Sequence, residues 1–261
     1  MSLVNQGTIL AETSGQTVTV SGRGAESSAT NQGTLQATGG TLDINTLTGD
    51  LGNASVSGSG HLDVNGSFTN SQNHTLDGES LTFGGDWSNT AIITASNGST
   101  LSMQGNWDNS GTIGVTDSTV NLGGSTSGIG AISVSGSDLN IVGRFTTAQF
   151  ESILLNNNQV TLGLVGVLDN SADVLDVNAI TGNLILNGGK ILGGTVLSAD
   201  GAKLIALANN SNQLERVTLE ADLDLSTTNA TVRIVNELTL NGTIRMTTQS
   251  SLAFEGTQSA I

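Results

Sequence analysis

The sequence predicts an all-β fold: a single-stranded, right-handed parallel β-helix, a solenoid with about 20 residues per coil. Three observations predict it. A short motif alternating polar and apolar residues returns at nearly constant steps. Two further ranks of apolar residues keep the same step. The composition is rich in turn formers, with 35 Gly, and poor in aromatics, at 3%.

The motif runs polar, aliphatic, polar, apolar, then one or two small residues. It reads TVTVSG at 17–22, TLDIN at 41–45, HLDVNG at 61–66 and SLTFGG at 80–85. It continues as TLSMQG at 100–105, TVNLGG at 119–124, DLNIVG at 138–143 and QVTLG at 159–163. Its first apolar positions, from Val18 through Leu42, Leu62, Leu81, Leu101, Val120 and Leu139 to Val160, step by 24, 20, 19, 20, 19, 19 and 21 residues. A second rank runs through Ile9, Leu35, Val56, Leu76, Ile93, Ile113, Ile132 and Ile153. A third follows the glycines, with Phe68, Trp87 and Trp107 at steps of 19 and 20. Period-2 strands of four or five residues cannot bury an apolar face alone. Stacking equivalent strands in parallel pairs each backbone group with the coil above and below. A connection between parallel strands is right-handed by the general chirality rule. At roughly 4.8 Å per coil the chain makes about 13 turns.

Turn residues follow the same step. Asn70, Asn89 and Asn109 end the aromatic element, and Asn5, Asn31 and Asn53 precede analogous strands, so stacked amides are expected to form an internal ladder. The segment TTAQFESILL at 146–155 is the one helical candidate, with Thr146 and Gln149 at capping-box spacing. The later chain is less regular: 25 of the Gly lie in residues 1–149 and 10 in 150–261. Leu184, Leu204 and Leu223 keep steps of 20 and 19, and Leu238 and Leu252 follow at 15 and 14, which implies smaller final coils. With no linker in the sequence, residues 1–261 read as one continuous solenoid whose coil size changes after about 163.

Composition removes several functions. The chain has no Cys, so disulfides and thiolate metal sites are excluded. With 7 Lys+Arg against 22 Asp+Glu, a net charge of −15 argues against nucleic acid as a partner. No apolar run approaches the ~20 residues of a transmembrane helix, so no membrane insertion is expected within this segment.

The units NQGTI at 5–9, NQGTL at 31–35 and NSGTI at 109–113 resemble those of filamentous-haemagglutinin-type adhesins and related giant bacterial surface proteins. So do LDNSADVLDVNAITGNLILNGGKILGGT at 168–195, LERVTLEADLDL at 214–225 and LTLNGTI at 238–244. The resemblance implies an exported protein, extracellular or at the bacterial cell surface, working in adhesion or as a stalk. Members open with a secretion domain carrying Asn-Pro motifs, which a chain without Pro does not contain. The segment therefore reads as a fragment of a longer protein, with uncapped coils open to end-to-end or edge association.

Parallel β-helices also carry polysaccharide lyases and glycoside hydrolases, so the acidic residues need weighing. Asp43 and Asp63 occupy the same outward position of adjacent coils, suited to a cation or a shared proton. Thr82, Ser102, Asn121 and Asn140 continue that rank, as a solvated polar row would. Asp222 and Asp224, with Glu220 nearby, face one way and form a candidate calcium site, although the GGxGxD repeat is absent. His61 reads as a strand edge and His74 as a turn, with no spacing that makes a metal pair. Trp87 and Trp107 read as core rather than as sugar-stacking platforms, because Phe68 shares their rank.

The expected function is a non-enzymatic rigid rod that spaces or presents binding surfaces to glycan or cell-surface protein. It has no catalytic, metal or cofactor residues. A carbohydrate-active enzyme is the alternative, and a ligand-free stalk the third reading.

Overall fold

A computed structural model of the chain describes residues 1–22, 24, 27–154, 160–177, 182–198 and 201–256. Leu155, Gln159 and residues 178–181 of the motifs quoted above lie outside the described residues. The chain is a parallel β-solenoid with one helix, Thr147–Leu154, among the described residues. It divides into two compact units, Met1–Ser137 and Asp138–Ile261. About eleven turns are formed, fewer than thirteen. Several coils exceed 20 residues: Ser2 pairs with Ser28, and Leu139 with Leu162.

In the first unit each turn lays one strand on each of three faces. Face one begins with Thr17–Val20 and ends with Thr119–Leu122. Its inward column is Val18, Leu42, Leu62, Leu81, Leu101 and Val120, paired in register as the sequence steps require. A parallel column, Val20, Ile44, Val64, Phe83, Met103 and Leu122, lies two residues on. From Leu42 onward both columns are fully buried, whereas Val18 in the first turn is exposed. The core is thus one side chain deep per coil.

Face two carries the aromatic rank. Phe68, Trp87 and Trp107 are register partners, and their rings stack at centroid distances of 6.1 and 6.2 Å. Phe83 meets Phe68 and Trp87 edge-on at 5.4 and 5.0 Å. The few aromatics of the first unit are gathered in one buried cluster.

Face three corrects the second apolar rank. Leu35 pairs with Ala54, and Ala37 with Val56. Likewise Ile93 pairs with His74, and Ala95 with Leu76. Val56 and Leu76 therefore belong to a neighbouring column two residues further on. A slip of two residues keeps a side chain pointing inward, so the apolar pattern does not detect it. Ile153 is buried in the helix and belongs to no such rank.

The corner between faces one and two explains the repeated glycines. Gly85, Gly105 and Gly124 all have positive φ, at 87, 74 and 61°. A Cβ on Gly105 would sit 2.1 Å from the Gly85 carbonyl oxygen, and one on Gly124 only 1.8 Å from that of Gly105. Backbone conformation and backbone approach both demand glycine there.

The asparagine ladder is present in two runs. Asn5 Nδ2 donates to Asn31 Oδ1 at 2.7 Å, and Asn31 Nδ2 to the Leu51 carbonyl at 2.8 Å. Further along, Asn70 donates to Asn89 and Asn89 to Asn109, both at 2.8 Å, and Asn109 to the Ile129 carbonyl at 2.7 Å. Asn53 is not part of it: the side chain is exposed and donates to Thr34 Oγ1.

The second unit also winds three strands per turn. Its column is Leu139, Leu162, Leu184, Leu204, Leu223 and Ile244, at steps of 23, 22, 20, 19 and 21 residues. Leu162, not Val160, continues Leu139. The steps of 15 and 14 that implied small final coils compare different columns. Leu238 pairs with Val217, and Leu252 with Val232. The helix starts as the capping box requires: Gln149 N–H donates to Thr146 Oγ1, and Thr146 N–H to Gln149 Oε1. Phe150 and Ile153 anchor it in the interior.

Two substitutions probe this packing. Leu101→Asp places an unpaired charge in a column with no exposure and should cost on the order of 5 kcal/mol, read as unfolding or aggregation. A melting curve like the parent's would show that Leu101 does not face inward. Gly105→Ala should destabilise by about 2–4 kcal/mol in urea titration, from strained φ and backbone overlap.

Candidate functional site

Outward rows carry whatever chemistry a solenoid offers, because inward columns are filled by packing. On face one Asp43 and Asp63 are register partners in adjacent coils, as their spacing predicts. Each carboxylate accepts from the amide two residues on, Asn45 to Asp43 and Asn65 to Asp63, both at 3.0 Å. Burial pushes the Asp63 carboxyl above its usual range, and the Asp43 carboxylate adds to the rise, opposed by His61 and the Asn65 amide. His61 is outward and half-buried beside them, with Nε2 3.1 Å from Thr82 Oγ1. Among the described residues no group of three or more His, Asp or Glu is arranged to hold a metal ion.

His74 is not a turn residue. It opens strand His74–Asp77, points inward and is buried, with its ring edge-on to Phe83 at 6.0 Å. Its Nε2 lies 3.0 Å from Asn70 Oδ1. In the preceding coil the residue before Asn70 in the column is Leu51, which has no amide to donate. His74 supplies the donor that Asn supplies elsewhere in the ladder, which assigns the proton to Nε2. Burial lowers its pKa to about 4.

In the second unit Asp222 and Asp224 both face outward but are engaged separately. Asp222 Oδ1 accepts from Thr243 N–H at 3.0 Å. Asp224 accepts from Ser226 N–H at 2.8 Å and lies 3.5 Å from Lys203 Nζ. Its carboxyl is held below its usual range by bonding to Ser226 and, less strongly, by Lys203. Glu220 is exposed beside them. Asp224 thus meets a lysine ammonium of the preceding coil, and Asp222 a backbone amide of the following one.

Trp87 and Trp107 behave as core. Their exposures are 4% and 2%, and their Nε1 atoms donate to the carbonyls of Gln104 and Gly123, both at 2.9 Å. The residues on either side of these aromatics point the other way, and there a groove of about 920 Å³ runs along face two of the first unit. One wall is the row Ser67, Asp86, Asn106 and Ser125. The other is Asp50, Thr69, Ser88 and Asp108, continued by Ser127 past a register shift at Trp107/Asp108. Asn106 Nδ2 donates to Asp86 Oδ1 at 2.7 Å, and Ser125 Oγ donates to Asn106 Oδ1 at 2.7 Å. Ser127 Oγ donates to Asp108 Oδ1 at 3.1 Å, and Thr69 and Ser88 share a bond of 3.0 Å. The groove is open to solvent, and six of its fourteen lining residues are Ser or Thr. The sequence carried this signal in GSFTN, GDWSN and GNWDN, where the residues flanking each aromatic are small or acidic.

Compared with protein-family models, with curated proteins and with solved structures, the chain matches none. No helix among the described residues is long and apolar enough to cross a membrane.

Because the folded pKa of His74 is below the ordinary 6.5, its contribution to stability is fully present above pH 6.5 and is lost as pH falls toward 4. The full loss is about 3 kcal/mol. In urea titrations at stepped pH, the stability of the parent relative to His74→Gln should shrink by about that amount across this window. A constant difference would place His74 in contact with water.

Proposed function

We propose that the chain is a non-enzymatic segment of a secreted or cell-surface bacterial adhesin. It acts as a stiff solenoid that spaces and presents polar faces to glycan or to a cell-surface protein. The observation that carries this reading is the stacked face two of the first unit, whose outward rows line an open groove across successive coils. The sequence units that resemble those of filamentous-haemagglutinin-type adhesins support export and surface location. Stacked coils with side-chain ladders suit a molecule that must hold its shape away from a cell.

A second reading, a carbohydrate-active enzyme, is favoured by the raised pKa of Asp63 beside Asp43. Their surroundings weigh against it. The two carboxyls stand in one row of adjacent strands, each already bonded to an Asn amide. Coils of 19 or 20 residues between Leu42 and Val120 leave no insertion there to build walls around the pair.

The test is a screen of the purified protein against neutral and acidic polysaccharides, scored for retention and for chain cleavage. Retention without cleavage is expected. Cleavage that is lost in Asp63→Asn would replace this reading with the enzyme, and silence on both counts would leave only a stalk.

A further inference from the structure

We infer that the face-two groove of the first unit binds an uncharged linear polysaccharide lying along the solenoid axis, with Asp86, Asn106 and Asp108 as its principal hydrogen-bonding residues. The inference rests on the adhesin reading and gives it a site and a ligand class.

The lining selects the chemistry. Carboxylates, an amide and hydroxyls offer acceptors and donors in two parallel rows, the mixture that sugar hydroxyls pair with. Asp86 and Asp108 each have one oxygen, Oδ1, tied to a neighbour in the next coil, Asn106 for Asp86 and Ser127 for Asp108. Those bonds hold the carboxylates in place before a ligand arrives, which reduces the ordering cost of binding. Each keeps its other oxygen as an acceptor. The amide of Asn106 lies in the same row as Asp86, bonded to Asp86 in the preceding coil and to Ser125 in the following one.

Charge excludes acidic glycans. Asp50, Asp86 and Asp108 all line the groove, and no Lys or Arg occurs among the described residues of the first unit. Along the lining residues a sulfated or uronic-acid polymer would meet three carboxylates and no cation. A folded or extended peptide fits less well. Phe68, Trp87 and Trp107 line the groove floor but are nearly buried, with the indole N–H groups bonded to backbone carbonyls, which leaves little ring surface for a peptide side chain. The backbone of face two is paired on both sides through the middle of the groove, so no edge is free for an added strand there.

Geometry favours a linear ligand. From Asp50 through Thr69, Ser88 and Asp108 to Ser127 the groove crosses four coil steps, roughly 19 Å at the usual strand spacing. An extended 1,4-linked hexose chain advances by nearly one coil spacing per sugar. Successive sugars therefore meet equivalent positions of successive coils, and roughly four are accommodated.

The experiment is calorimetric titration of the whole chain with uncharged 1,4-linked gluco- and manno-oligosaccharides of increasing length, with heparin and with a polylysine peptide. Wild type is compared with Asp86→Asn, Asp108→Asn and Ser88→Trp. Affinity should rise with length up to about four sugars and then level off, the span of four coil steps. The two Asn variants should each weaken it about tenfold, and Ser88→Trp should abolish it. Thermal melts of the Asn variants should match wild type, separating loss of binding from loss of fold. Neutral-sugar binding unaffected by Ser88→Trp overturns the site while leaving an adhesin. Preference for heparin or for polylysine overturns the ligand class. Failure of every saccharide to bind overturns the site and the ligand class together.

Discussion

The structure depends on one constraint, the register between successive coils. A strand of three or four residues has no stability alone, and its amides and carbonyls are satisfied only by the coils on either side. Register also lines up side chains of like kind, so that Leu81 lies between Leu62 and Leu101 and Asn89 between Asn70 and Asn109. Each inward residue is then covered by its equivalents. Val18 is exposed, whereas its partner Leu42 in the following coil is fully buried.

Corners and ladders enforce this register. Aliphatic columns alone tolerate a slip of two residues, since the side chain still points inward. Glycine stacked on glycine with a carbonyl 2 Å from the missing Cβ does not tolerate it, and neither does an asparagine whose amide must meet the next asparagine. A serine series adds to them at the corner between faces three and one: Ser99 N–H donates to Ser118 Oγ and Ser118 N–H to Ser137 Oγ. Buried polar groups thus specify alignment, and the apolar interior supplies the cohesion. Among the described residues, no buried side-chain polar atom lacks a hydrogen-bond partner.

This division explains what was legible in the sequence. The face-one column from Val18 to Val120, the aromatic stack, most of the asparagine ladder and the capped helix could all be placed, because each repeats a distinctive residue at a constant step. Face three was misaligned between Ala54 and Val56 because Ala and Val, and at the next coil His and Leu, alternate in one strand. The period was visible there and the phase was not. Leu238 and Leu252 misled for a related reason: three faces present the same polar–apolar alternation, and sequence distance does not say which face a strand joins. His74 reads as a turn residue in the sequence because its inward role depends on Leu51 breaking an amide ladder one coil away. The groove was hidden because small outward residues look like ordinary turn composition until register sets them in rows.

A repeating coil makes function a property of rows, and the two units use their rows differently. All six described cations, Arg144, Lys190, Lys203, Arg216, Arg233 and Arg245, lie in the second unit. Four of them reach a carboxylate of the neighbouring coil: Arg144 to Asp169, Lys190 to Glu215, Lys203 to Asp224 and Arg233 to Glu255. Charge there is consumed in coil-to-coil pairing. In the first unit Asp43, Asp63, Asp86 and Asp108 are held by Asn45, Asn65, Asn106 and Ser127 instead. A neutral donor fixes the orientation of a carboxylate without neutralising it, so these rows keep a negative charge that no Lys or Arg among the described residues of the first unit offsets.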